Sequence, residues 1–176
     1  MIAPAQVADV SALMALERDG FEPSGQWGAS SWLEEIGRDG HLALVHRQGG
    51  VTDAAIACSV AGDVADLLRV VVAPQARRGG VGASLVRAGL EWMAAQGAVR
   101  AMLEVRDDNA AALGLYRAFG FGVIATRADY YGPGADALVM GLELPRAGAA
   151  EAGGAETGAA EVGAVEAGAD GRERDE

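Results

Sequence analysis

Lysine is absent from this chain of 176 residues, so all 14 of its basic residues are arginine. With 25 acidic residues the formal net charge is −11. That balance argues against a nucleic-acid-binding surface, because such a surface needs clustered cations. An acidic body would suit a basic protein or peptide as substrate, or it could serve solubility alone.

Cysteine is nearly absent and long apolar runs are missing altogether. Cys58 stands alone, so an internal disulfide is excluded, and a reducing cytoplasm is the simplest expected location. No stretch of about 18 uncharged apolar residues occurs, so we expect no membrane span. The first ten residues lack the basic start and apolar centre of a signal peptide.

The apolar content of 51% predicts a globular fold, and the length predicts one domain with a substantial core, which we expect to be monomeric. That domain should span residues 1–145. From 147 to 176 the chain has no leucine, isoleucine or aromatic residue, and glutamates recur every five residues from Glu151 to Glu166. Residues 146–176 are therefore predicted to form a disordered acidic tail.

Helical and strand patterns alternate along residues 1–145, which indicates the α/β or α+β class with a mixed sheet flanked by helices. Asp9 is predicted to cap the first helix and Ser31 the second, with a loop between them over 20–30. Strands are predicted over 1–4, 41–46, 54–60, 67–72, 101–106, 120–126 and 137–144, and helices over 9–17, 80–96 and 109–118, with a short one from 31.

A glycine-rich loop follows the apolar strand at 67–72. Arg77, Gly80 and Gly82 form R-x-x-G-x-G at a helix start, where free N–H groups and the helix dipole can bind phosphate. Arg78 adds positive charge. The loop lacks the Gly-Lys-Ser/Thr of a P-loop, and Leu85 stands where a dinucleotide fingerprint needs a third glycine. Taken alone, the pattern also fits an ordinary flexible helix start.

An acid interrupts the strand at 101–106. Alternation places Leu103 and Val105 on one face and Glu104 on the other. A carboxylate in an apolar strand costs free energy unless it is paired or functional. Glu104 is therefore either the partner of Arg106 on a solvated face or a general base at the mouth of a cleft.

The next helix carries two further candidates. Asn109 can cap this helix, contact a ligand, or do both. Tyr116 lies two turns further along the same helical face, where it could be half-buried packing or a proton donor with an ordinary pKa of about 10.

Other reactive side chains are poorly placed for chemistry. Cys58 lies in an apolar strand without a neighbouring histidine, which favours a core role over that of an acyl carrier. His41 and His46 are too sparse for a metal site, so no metal is expected.

Together, these segments resemble the GNAT superfamily of N-acetyltransferases. The run from Val72 to Gly82, VAPQARRGGVG, resembles its pyrophosphate loop, and Asn109-x6-Tyr116 followed by Gly120-Phe121 resembles its second cofactor segment. The resemblance covers residues 1–145 and is strongest over 67–144. It implies the GNAT fold, with a mixed, mostly antiparallel sheet, and acetyl-CoA as the acetyl donor.

A narrower resemblance is to the ribosomal-protein-alanine N-acetyltransferase (RimI) subfamily. Its features here are LEVR at 103–106, NAAA at 109–112, Arg127, Tyr130-Tyr131 and ALVM at 137–140. The subfamily acetylates the N-terminal α-amine of a small-subunit ribosomal protein, so the implied partner is a basic protein N-terminus. Trp27 lies in the segment that helps form the acceptor groove, but the usual Phe-Pro-Trp is replaced by FEPSGQW.

The resemblance also implies roles for individual residues. The pyrophosphate would rest on the N–H groups of residues 78–82, the pantetheine arm would pair with residues 70–72, and Asn109 would contact that arm. Glu104 would act as the base through a water, Tyr116 would protonate the thiolate, and Trp27, Tyr130 and Tyr131 would line the acceptor groove. The implied cofactor set is thus Val70, Val71, Val72, Arg77, Arg78, Gly79, Gly80, Val81, Gly82 and Asn109.

Three other interpretations remain open on the sequence. A related enzyme could acetylate a small-molecule amine or a different protein. A non-catalytic acyl-CoA-binding module is a second possibility, although it would not need Glu104 and Tyr116. A nucleotide-binding regulator is the third, and the missing lysine and third glycine disfavour it.

Overall fold

The computed structural model describes residues 1–145, so the predicted tail at 146–176 lies outside the described residues. Within them, no helix is both long and apolar enough to cross a membrane. The strands are β1 (Ile2–Pro4), β2 (His41–Gln48), β3 (Val51–Ala61), β4 (Val64–Val72), β5 (Arg100–Arg106), β6 (Gly122–Arg127) and β7 (Ala137–Glu143). The helices are α1 (Val10–Gly20), α2 (Ala29–Glu35), α3 (Val81–Ala95) and α4 (Ala110–Ala118).

The strands form one mixed sheet in the order β1-β2-β3-β4-β5-β7-β6, which confirms the predicted class. Every neighbouring pair is antiparallel except β4 and β5. Those two pair only from Val64 opposite Arg100 to Asp66 opposite Met102. Beyond these three pairs the strands separate, and we call the opening between residues 67–72 and 103–106 the cleft.

A β-bulge in β4 lies at the start of the cleft. Cys58 pairs with Leu67 and the preceding Ala57 pairs with Arg69, so Leu68 is an extra residue. Because side chains alternate between the two faces of a strand, the bulge places Leu67 and Arg69 on opposite faces. Without the bulge they would share one face.

Helices cover both faces of the sheet. On one face α3 and α4 pack over a cluster that includes Ile56, Leu85 and Met140, all of them fully buried. On the other face α1 and α2 pack against the sheet through Leu13 and Trp32, which are also fully buried. The sheet is therefore the middle layer, and the cleft opens within it.

Helix α3 approaches the sheet closely at a glycine. A Cβ atom on Gly89 would lie 3.0 Å from both Cys58 Sγ and Ile56 Cδ1, so a larger residue there would push the helix outward. The buried face of α3 is centred on Leu85, Val86, Gly89 and Met93, whereas Val81, Ala88 and Trp92 are only partly buried.

Asp9 occupies the predicted N-cap position of α1 but makes no side-chain hydrogen bond to that helix, and Ser31 lies inside α2, so the predicted cap there is wrong. Asp9 precedes α1, but its carboxylate accepts hydrogen bonds from the Gln6 N–H at 2.8 Å and from Arg47 Nη2 at 2.6 and 2.7 Å. Helix α2 begins at Ala29 after Gly28, three residues before the Ser31 cap would have allowed. The loop at 20–30 also contains a short 3-10 turn at Pro23–Gly25. At Asp9, hydrogen bonds to Gln6 and to the distant Arg47 occupy the carboxylate in place of the cap.

Candidate active site

The glycine-rich loop has the backbone geometry of an anion site. Gly80 has φ 82° and precedes the first turn of α3, and Arg78 also has a positive φ of 64°. Left-handed residues among right-handed ones turn successive N–H groups toward one point, and the helix dipole adds positive potential there. At Gly82 a Cβ would lie 3.4 Å from Val72 Cγ2, so glycine allows the helix start to lie close to β4.

The β5-side edge of β4 is open along the cleft. Residues 69–72 pair with β3 on one side, whereas pairing with β5 ends at Asp66. The backbone groups of Val70 point across the cleft and are thus free to bind an extended ligand, as an added strand would, whereas those of Val71 face β3. Arg77 Nε donates to the Val72 carbonyl at 3.0 Å and ties the end of this strand to the loop.

Glu104 lies on β5, on the face opposite the buried Leu103 and Val105, as the alternation predicted. Its carboxylate is 2.8 Å from Arg127 Nη1, and the two side chains are 30% and 56% exposed. The alternative pairing with Arg106 is wrong, because that guanidinium binds Asp108 at 2.7 Å. Glu104 is therefore a solvent-accessible carboxylate held by an exposed ion pair.

Tyr130 and Tyr131 stand beside this carboxylate. Their rings meet edge to face at 5.1 Å, and they are 50% and 42% exposed. A hydrogen bond to Glu104, followed by the charge of Glu104, raises the pKa of Tyr130. Burial, followed by the same charge, raises the pKa of Tyr131. Both tyrosines thus share the electrostatic environment of the candidate base.

Tyr116 is buried on α4 and packs edge-on against Phe121 with 5.9 Å between ring centroids. Burial raises its pKa to about 12, with smaller contributions from Cys58 and Tyr131, and Arg69 acts in the opposite direction. A phenol of this pKa keeps its proton throughout the neutral range.

The predicted cap at Asn109 is confirmed. Its side-chain oxygen accepts a hydrogen bond from the Ala112 N–H at 3.1 Å at the start of α4. A contact between Asn109 and the cofactor remains a prediction.

Cys58 is fully buried on β3, as the sequence predicted. Burial, followed by the charge of Glu35, raises the pKa of its thiol to about 12. A thiol with this pKa is protonated at neutral pH, which agrees with the predicted core role of Cys58 and not with that of an acyl carrier. Within residues 1–145, no three His, Cys, Asp or Glu side chains are grouped as metal ligands.

Sequence reasoning missed a buried ion pair beside the predicted acceptor segment. Glu17 on α1 is 1% exposed and binds Arg69 on β4. Glu17 also accepts a hydrogen bond from the Trp27 N–H at 3.0 Å. A signal was present: each of the two opposite charges interrupts an otherwise apolar pattern.

Comparison with known proteins accounts for this arrangement. Residues 10–121 match the model of the acetyltransferase (GNAT) family. The chain belongs to that family. It is an N-acetyltransferase, and the acetyl donor used by the GNAT family is acetyl-CoA.

Among curated relatives of this GNAT enzyme are two named [ribosomal protein bS18]-alanine N-acetyltransferase. The Escherichia coli K12 protein is 33% identical over 121 residues, covering 67% of this chain and 81% of the relative. The Salmonella typhimurium protein is 37% identical over 86 residues, covering 47% of this chain and 57% of the relative. That second match thus spans less than two thirds of the relative.

The GNAT fold is also seen in a crystal structure of the ribosomal-protein-S18-alanine N-acetyltransferase from Escherichia coli. Its TM-score with this chain is 0.75 at 27% identity, covering 85% of this chain and 97% of the other. The resemblance stated from the sequence motifs is thereby confirmed at the level of family, fold and enzyme class.

Proposed function

We propose that this acetyltransferase transfers the acetyl group of acetyl-CoA to the N-terminal α-amine of a protein, namely the N-terminal alanine of a small-subunit ribosomal protein. The observation that carries the proposal is the position of Glu104. This accessible carboxylate lies beside the cleft with Tyr130 and Tyr131 around it. The relatives named for alanine acetylation support the same acceptor, and such a substrate would place the enzyme in the cytoplasm.

The cofactor would lie along the open edge of β4. Its pyrophosphate would bind the N–H groups of Arg78, Gly79, Gly80, Val81 and Gly82, with charge added by Arg77. Its pantetheine arm would lie along Val70, Val71 and Val72, and Asn109 would contact the arm from α4. Acetyl-CoA supplies the activated thioester, and these residues hold its carbonyl beside Glu104.

The acceptor amine must be neutral to attack the thioester. An α-amine has a pKa of about 8, whereas a lysine side chain has one of about 10.4, so a much larger fraction of the α-amine is neutral at pH 7. Glu104 would remove the remaining proton through a water, which is a modest task for a carboxylate when the acceptor is an α-amine. This difference in proton affinity favours a chain terminus over an internal lysine.

The leaving thiolate needs a proton, and Tyr116 is the candidate donor. It is protonated at neutral pH because its pKa is raised to about 12. The amine would attack the carbonyl carbon, the C–S bond would break, and the phenol proton would pass to sulfur. The nitrogen would lose one proton as it becomes an amide, and that proton restores the phenol. Backbone N–H groups at the cleft would stabilise the oxyanion in between.

The acceptor segment would bind between two aromatic walls, with Trp27 on the α1 side of the cleft and Tyr130 and Tyr131 on the β5 side. Asp66 lies on the same face of the sheet as Glu104, and burial together with the Glu104 charge raises its pKa. Acids on this face suit a basic chain terminus.

Mass spectrometry of acetyl-CoA reactions with two peptides tests the proposal. One peptide has a free N-terminal alanine followed by arginines, and the other is N-terminally blocked with one internal lysine. We expect acetylation of the first alone. Modification of the second, or of neither while acetyl-CoA still binds, would reject the α-amine acceptor and favour another amine.

A further inference from the structure

Arg69 makes an unusual set of contacts for a residue in a cleft strand. Its Nη2 donates to the Gly25 carbonyl at 2.6 Å, and its Cζ lies 3.5 Å from the centroid of the Phe21 ring and 5.2 Å from that of Trp27. A single guanidinium thus contacts the segment 21–27 at three points, with two cation–π contacts among them.

The carboxylate of Glu17 on α1 holds this guanidinium in place. Arg69 Nε donates to Glu17 Oε1 at 3.0 Å and Arg69 Nη2 donates to Oε2, which is a two-point contact. The same carboxylate accepts from the Trp27 N–H at 3.0 Å. The side chains of Arg69 and Glu17 are 13% and 1% exposed, so solvent competes weakly for these bonds.

The position of Arg69 along β4 connects this cluster to the cleft. Arg69 immediately precedes Val70, whose free backbone edge is proposed to bind the pantetheine arm. The bulge at Leu68 turns the Arg69 side chain to the face that carries α1 and Glu104. The strand assigned to the acetyl donor and the segment assigned to the acceptor are therefore joined through one side chain.

We infer that Arg69 is a positioning residue for the acceptor: it holds Trp27 and the rest of segment 21–27 at a fixed place relative to β4, so that the N-terminal residues of the substrate enter the cleft in register with the thioester. The inference rests on the proposed function. It also accounts for the FEPSGQW segment, in which Gly25 brings a backbone carbonyl to the guanidinium.

Arg69 would act through the segment and not on the reacting atoms. Its removal should therefore weaken the apparent affinity for the acceptor peptide and leave acetyl-CoA binding intact, because the glycine-rich loop and the backbone edge of β4 remain. A loss of global structure would instead weaken the binding of both the acceptor peptide and acetyl-CoA.

The test compares the full-length wild type with Arg69→Lys, which keeps a positive charge beside Glu17 but cannot bind Glu17 and Gly25 in the same planar arrangement. With the alanine-first peptide, we expect KM for the peptide to rise about tenfold, as the loss of one charge-assisted hydrogen bond would produce. KM for acetyl-CoA should stay within about twofold. Hydrogen–deuterium exchange should be faster in residues 20–28 and unchanged in α3.

Arg100→Lys is the matched control. Arg100 lies on β5 in an exposed pair with Glu143 at 2.7 Å, so the same substitution there should change neither constant. If Arg69→Lys unfolds, the double variant Glu17→Gln/Arg69→Met removes both charges and leaves an amide oxygen for the Trp27 N–H. The same changes in KM and exchange are expected of it.

An unchanged peptide KM, or an equal rise in KM for acetyl-CoA, would overturn the inference. So would unchanged exchange at residues 20–28. Failure of the proposed function looks different: the wild type itself would leave the peptide unmodified. The exchange experiment needs no acceptor, and it would still decide whether Arg69 holds the segment.

Discussion

Two Glu–Arg pairs belong to the two sides of the cleft, and their surroundings differ sharply. On the β4 side, Glu17 and Arg69 are 1% and 13% exposed, and the pair is surrounded by further hydrogen bonds and aromatic rings. On the β5 side, Glu104 and Arg127 are 30% and 56% exposed, and Arg127 Cζ lies 5.4 Å from the centroid of the Tyr130 ring. The residue types are the same, but their electrostatic environments are not.

The difference indicates separate tasks for the two pairs. A buried pair is costly to break because the remaining charge has no water, so it fixes geometry. An exposed pair contributes little and opens readily, so its carboxylate stays available to a substrate. The comparison thus predicts a structural role for the buried pair, and it is consistent with the catalytic role proposed for Glu104.

The largest expected effect is on turnover, from Glu104→Gln. Loss of a general base typically costs about 10²–10⁴-fold in rate, and acetyl-CoA binding should persist because the amide keeps the shape of the side chain. Steady-state kinetics and calorimetry measure the two quantities. Glu143→Gln on β7 is the control, and wild-type turnover in Glu104→Gln would sink the base assignment.

The corresponding substitution in the buried pair, Glu17→Gln, should lower the stability of the fold. Glu17→Gln leaves the Arg69 charge buried without a carboxylate, which should lower the free energy of unfolding by about 3–5 kcal/mol. Urea denaturation monitored by tryptophan fluorescence measures it. A loss as small as that of an exposed pair would contradict the structural role assigned to Glu17.

Alkaline pH should destabilise the fold because Tyr116 and Cys58 are buried in their neutral forms. Burial raises the pKa values of Tyr116 and Cys58 to about 12, so the unfolded chain loses these protons first. The free energy of unfolding should be level near neutral pH and fall by a few kcal/mol as pH rises from about 9 to 12. Unfolding curves of Tyr116→Phe and Cys58→Ala should each show a shallower fall. An unchanged slope in both would refute the burial of these groups.

The smallest effect is expected from Arg127→Gln. Exposed pairs contribute about 0–1 kcal/mol, so the free energy of unfolding should change by less than 1 kcal/mol. High salt should reduce even that difference, because it screens exposed charges. A loss of several kcal/mol would remove the distinction between the two pairs.

Much of the fold follows from local patterns in the sequence. Each strand and helix of residues 1–145 was predicted in its place, because apolar periodicity and glycine turns mark them. Some strand ends were not. Strand β3 starts at Val51 and not at 54. The polar Asp53 interrupts the apolar pattern there, but its carboxylate lies 2.5 Å from His46 Nδ1 on β2 and is thereby paired. Strand β4 begins at Val64, where Asp66 broke the apolar pattern.

Only those candidate site residues that belong to a sequence motif could be predicted from the sequence. The loop at 77–82, Glu104, Asn109 and Tyr116 could be located by spacing and family resemblance. The Glu17–Arg69 pair joins residues 52 positions apart, and no local spacing rule connects them. The Glu104–Arg127 pair likewise depends on β7 lying between β5 and β6 in the sheet, which is a property of topology.

The extra residue at Leu68 shifts the alternation of side chains along β4 by one position. Upstream of it, odd-numbered residues of β4 face α3 and α4; downstream, even-numbered ones do. Deleting Leu68 alone would restore simple alternation and leave Arg69 and Val70 on the faces that they now occupy. Deleting one residue elsewhere in this strand while the bulge remains would instead exchange the faces of the residues between the deletion and the strand end. Position 68 is therefore where a single-residue deletion preserves the pattern of faces.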